Sequence, residues 1–161
     1  MRTPWFTAWG RVGDQQLERL RAALTDERIA GKLRLVAIHH PAAGRYARSR
    51  VRGLRDYKAF AAVLGAVGAE LVIHGHEHQD LKAEIAGPNR QRALPRIDVR
   101  GVPSGTYEAH RPDRTARYRI FEISGGRIVG HHLRVWDSAA HAFHDDPTLS
   151  YHPAGSSPGP G

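Results

Sequence analysis

The sequence predicts an α/β fold of mixed parallel and antiparallel strands. Up to residue 79, leucines at helical spacing alternate with short apolar runs, the pattern of a parallel α/β unit. Beyond it, three stretches alternate apolar and polar residues with period two, as half-buried antiparallel strands do. Both short apolar runs end in histidine, at His39-His40 and at His74, with His76 and His78 close behind.

The opening residues 1–10 are short and mixed and read as a loop. Gly13-Asp14 offers a turn with Asp14 as N-cap, and Leu17, Leu20 and Leu24 predict a helix over 15–26. Leu33 to Ile38 has no helical period and ends at His39-His40-Pro41, so it reads as a buried strand that stops where Pro41 removes a donor. Residues 42–55, with arginines at 45, 48, 50, 52 and 55, read as an exposed loop. Leu54, Tyr57, Phe60, Leu64 and Val67 mark one face of a second helix closed by Gly68. Residues 70–74 form the second buried strand. Residues 97–102, 118–123 and 128–135 are the expected half-buried antiparallel strands, the last two joined by a Gly125-Gly126 hairpin turn. Residues 1–144 read as one domain. Residues 145–161, rich in Pro and Gly with few apolar anchors, read as a disordered tail.

Composition narrows the function classes. Leu, Ile, Val and Phe number 34, about 21% of 161 residues, enough for a thin core. No apolar run approaches the roughly 18 residues of a membrane span, and Cys is absent, which excludes disulfides and thiolate metal sites. The expectation is a soluble cytoplasmic protein with no membrane partner. The net charge of +8 comes from 24 Lys and Arg against 16 acids. The arginines are spread along the chain, so a solvated basic surface is favoured over a nucleic-acid interface. Trp5, Trp9 and Tyr57 do not interleave with the 45–55 arginines as base-stacking platforms would.

The histidines carry the chemistry. Ligands of open α/β sheets bind beyond the carboxyl ends of the strands, where two adjacent strands ending in His would converge. Neutral imidazole suits Zn, Fe and Mn, and the i, i+2 pair His76 and His78 on a turn can diverge toward two ions. Elsewhere, His131 and His132 on one strand face opposite sides and cannot share an ion, and His141 and His144 read as surface residues.

The segment Leu71 to His78, with Gly75-His76-Glu77-His78, resembles the G-H-x-H block of calcineurin-like metallophosphoesterases. Val36 to Pro41 is similar to the strand and H-H-P block that precedes it in that family, Gly101 to Ser104 to the strand and small-residue turn that follows, and Gln16 to Leu20 to the helix before. The resemblance spans about residues 10–135 and implies the C-terminal half of a two-sheet sandwich flanked by helices. It implies phosphomonoester or phosphodiester hydrolysis at two divalent transition-metal ions (Mn, Fe or Zn), with a phosphate-ester small molecule as substrate. The H-H-P form leans toward cyclic-nucleotide and related phosphodiesterases. By motif, His39 and His76 hold the second ion and His78 the first, while His40 and His74 play supporting or structural roles.

The family's D-x-H, G-D-x-x-D and G-N-H blocks do not occur. Gly13-Asp14-Gln15-Gln16-Leu17 has Leu17 where the second acid belongs, and the one Asn is Asn89. Three neutral imidazoles cannot offset two adjacent dications, so the expectation is at most one weakly bound ion and no useful turnover by this chain alone. Three explanations fit: a fragment of a longer gene, a true truncation, or assembly with a second chain that carries the aspartates of the missing N-terminal half; a homo-oligomer is a separate partner expectation. The alternative reading is a non-catalytic relic or a basic module for phosphate or nucleic acid.

Overall fold

A computed structural model describes residues 8–106 and 115–146. The chain is α/β, with two sheets in two compact units, Met1–Val102 and Pro103–Gly161.

The first unit holds helix α1 (Asp14–Thr25), a 3-10 turn (Glu27–Ile29), strand β1 (Leu35–Ile38), short helix α2 (Gly44–Ala47), helix α3 (Tyr57–Val67) and strands β2 (Leu71–His74), β3 (Leu81–Ala86) and β4 (Arg96–Gly101). Its sheet runs β1-β2-β4-β3. As expected, β1 and β2 are parallel, with Ile38 opposite His74. Strand β4 keeps the expected antiparallel pairing on one side only. It lies in the sheet interior, parallel to β2 and antiparallel to β3, with Ile97 and Val99 fully buried. The sequence reading missed β3 because Ala, Lys and Glu are poor strand formers, although Leu81, Ala83 and Ile85 keep the period of two. Leu17, Leu24, Phe60, Leu64, Val72, Ile97 and Val99 build the core between helices and sheet.

Two expectations need correction. Asp14 is the first helical residue of α1 and not its cap; Gly13 holds that position at φ 84° and offers no side chain. No side chain caps the helix; Asp56, next to α3, holds the turn before it, with Val12 N–H donating to its carboxylate at 3.1 Å and Gly13 N–H at 2.8 Å. Residues 42–55 are not simply a solvated loop. They contain α2, and Ala42, Ala47 and Leu54 are buried against the rest of the unit while the arginine heads stay exposed.

A buried ion pair joins the starts of β1 and β2. Arg34 reaches both carboxylate oxygens of Glu70, with Nη2 to Oε1 at 2.7 Å and Nε to Oε2 at 3.1 Å, while its own N–H donates to Oε2 at 2.7 Å. Arg34 Nη1 also donates to Val67 O at 2.7 Å, which ties the end of α3 to the pair.

In this sheet β1 is an edge strand. Leu35 is 40% exposed, and a cleft of about 380 Å³ beside the strand is lined by Val12, Leu20, Val36, Ile38 and Phe60.

The second unit is a three-stranded antiparallel sheet of β5 (Arg117–Ser124), β6 (Arg127–Asp137) and β7 (Ala142–Asp145). The Gly125-Gly126 turn forms as expected, with φ of 55° and 72°, the left-handed pair that a two-residue hairpin requires. His131 and His132 alternate along β6, the first beside Phe121 and the second 2.6 Å from Glu122 Oε1. Strand β7 was not expected and takes in Asp145, the first residue of the anticipated tail. Residues 147–161 of that tail lie outside the described residues, as do 1–7 of the opening loop. Among the described residues, no helix is long and apolar enough to cross a membrane.

Candidate metal centre

Parallel pairing of β1 and β2 carries the two histidine turns to the same end of the sheet. Beyond the strands, Gly75 N–H donates to His39 O at 3.2 Å, and Glu77 N–H donates to Gly75 O at 2.9 Å. These bonds extend the ladder by one step and fold the 75–78 turn back on itself. His76 and His78 take φ of 71° and 51°, left-handed conformations that side chains other than glycine rarely adopt. Such strain costs on the order of 1–3 kcal/mol per residue and is characteristic of functional turns.

The result is a tight imidazole cluster. His39 Nε2 and His76 Nδ1 lie 3.1 Å apart, one ring donating to the other. The His40 ring lies 4.3 Å from that of His76, tilted by 34°. His40 is anchored from the other side, its Nε2 3.0 Å from Ala8 O and its ring against Gly10, where an added Cβ would sit 2.5 Å from it. His40 is thus a wedge between the 8–10 segment and His76. Burial, then the charges of His40, His39 and Arg52, push the His76 pKa down to about 4. The ring is unprotonated at neutral pH, the form that binds metals.

His74 is 5% exposed and packs over Gly101, opposite it in the β2–β4 register. Its ring Nδ1 is 3.1 Å from Gly75 O, and burial lowers its pKa. It is structural. His78 follows Glu77 on the exposed side of the turn. Among the described residues no three His, Asp or Glu side chains gather with metal-binding geometry, so His78 does not join His39 and His76 in one group.

Glu77 escaped the sequence reading because it occupies the variable position of G-H-x-H. Its carboxylate is 6% exposed, and Oε1 has no hydrogen-bond partner. His76 Nε2, also buried and without a partner, is 3.9 Å from it, too far for a hydrogen bond. Arg52 Nη2 stands 3.8 Å from Glu77 Oε2, so the arginine-rich segment does reach this turn.

His39 and His76 are spaced to contribute two ligands to one divalent ion, fewer than the three or four protein ligands a zinc site takes. An ion about 2.0–2.1 Å from each of two imidazole nitrogens at a tetrahedral angle needs them about 3.3 Å apart. The 3.1 Å between His39 and His76 is close to that. Glu77 places one negative charge beside the pair, partly offset by Arg52. A second ion would need further carboxylates. In comparisons with known proteins, the chain matches no family model and no curated protein.

Proposed function

We propose that this chain is the histidine-bearing part of a metal-dependent phosphoesterase acting on a phosphomonoester or phosphodiester. The observation that carries the reading is the meeting of His39 and His76 at the carboxyl ends of two parallel strands. His39 and His76 would hold one divalent ion, with His78 expected to serve a second in a site completed by carboxylates from elsewhere. A bound ion would polarise the phosphoryl group and lower the pKa of a coordinated water. The chain's own residues do the rest: burial keeps His76 unprotonated, His40 holds its ring in place, and Arg52 sets a cation beside the turn where an anionic ester would approach.

The test is titration of the purified chain with Mn²⁺ and Zn²⁺, read by competition with a chromogenic chelator, alongside an assay with bis(p-nitrophenyl) phosphate. One ion per chain, bound weakly and without appreciable turnover, is expected. Failure to bind either metal at about 1 mM, a free energy of only about 4 kcal/mol, sinks the reading. Robust hydrolysis by the chain alone would show that the expected need for further carboxylates is wrong.

A further inference from the structure

The segment from Ala8 to Gly10 is pinned along residues 51–55 by three backbone bonds: Ala8 N–H to Val51 O at 2.9 Å, Gly10 N–H to Gly53 O at 3.1 Å, and Arg55 N–H to Gly10 O at 2.8 Å. This pairing places Trp9 against Arg55, whose guanidinium carbon lies 4.9 Å from the ring centroid. Trp9 does not interleave with the 45–55 arginines in sequence, so backbone pairing alone brings it to Arg55. Trp9, Arg11, Arg55 and Asp56 line a cleft of about 440 Å³, within the size range of small-molecule sites.

The charges in the cleft are unequal. The Asp56 carboxylate already accepts from Val12 and Gly13 N–H, and Arg11 stands 3.8 Å from it. Arg11 is shared with Asp14 at 3.9 Å. No carboxylate pairs with Arg55 among the described residues. A guanidinium stacked on a ring keeps its in-plane N–H donors, and their fork matches a phosphate. Arg55 lies over one face of the half-buried indole, so an aromatic ring would stack on the other.

We propose that this cleft binds a nucleoside monophosphate, with Arg55 holding the phosphate and the Trp9 indole stacking the base. The site uses none of the histidines and needs no metal, so it stands whether or not the phosphoesterase reading holds.

The experiment is an NMR titration of the full chain in EDTA, following the Trp9 indole N–H (assigned with Trp9→Phe), with AMP, adenosine, ribose 5-phosphate and inorganic phosphate. AMP is expected to shift the Trp9 resonance saturably and to bind about tenfold tighter than adenosine or ribose 5-phosphate. Arg55→Ala should weaken AMP by about tenfold, and Arg55→Lys, which keeps the charge but not the fork, by less. The comparison among ligands uses the unaltered chain, so it stands even if a variant misfolds. No shift at Trp9 overturns the proposal. So does AMP binding no tighter than inorganic phosphate, which would mark a general anion patch.

Discussion

His39 Nε2 and His76 Nδ1 are 3.1 Å apart although 37 positions separate them in the chain. Residue-by-residue parallel pairing, Ile38 opposite His74, and the Gly75 to His39 bond beyond the strands make that meeting obligatory. If the pair holds an ion, His39→Ala and His76→Ala should each weaken Zn²⁺ binding by about tenfold or more, since losing one of two imidazole ligands removes at least about 1.4 kcal/mol. His78→Ala should cost less in this chain, because His78 does not gather with the other two. Competition titration against a chelator reads all three; equal losses would place His78 in the same site.

Gly101 makes room for His74. A Cβ at Gly101 would lie 2.6 Å from the His74 Cε1 atom and 2.9 Å from the Leu81 Cβ. Gly101→Ala should destabilise the fold by about 1–3 kcal/mol through overpacking, measured by urea unfolding. Adding His74→Ala should recover part of the loss if the ring is the obstacle.

Glu70→Gln leaves Arg34 as a buried cation without its counter-charge and should cost about 3–5 kcal/mol, read from the urea midpoint. The same pair sets a pH dependence. Burial pushes the Glu70 carboxyl up, but the Arg34 hydrogen bonds and charge bring it net below its ordinary 4.5. A carboxyl with a lowered folded pKa contributes its full stability above the unfolded value and loses it as pH falls. Wild-type stability should therefore decline below about pH 4.5, and the Glu70→Gln protein should show a shallower acid slope.

Asp56 holds the Val12-Gly13 turn that leads into α1. Asp56→Ala leaves the Val12 and Gly13 N–H groups unmet and should cost about 1–2 kcal/mol. Asp56→Asn, which keeps an acceptor, should cost less. Thermal unfolding with helical circular dichroism as the signal distinguishes the two; equal losses would point to charge as the whole of the effect.

Local chemistry was enough to reveal much of this protein. Leucine spacing marks α1, Gly68 closes α3, uninterrupted apolar runs mark β1 and β2, and Gly125-Gly126 turns the hairpin. The histidines at strand ends were visible for the same reason: each feature lies within a few residues. What stayed hidden depends on partners far along the chain. The Arg34–Glu70 pair spans 36 positions and the hydrogen bond from Gly13 to Asp56 spans 43. Strand β3, made of poor strand formers, exists because β4 offers it a paired edge. Glu77 became a buried carboxylate, and Trp9 met Arg55, only through sheet register and backbone pairing. Sequence by itself determined α1, α3, β1, β2 and the β5–β6 hairpin, and which side chains are of metal-ligating type. Tertiary structure decided which of those residues meet, because burial and pairing across distant segments are properties of the packed chain and have no local signature.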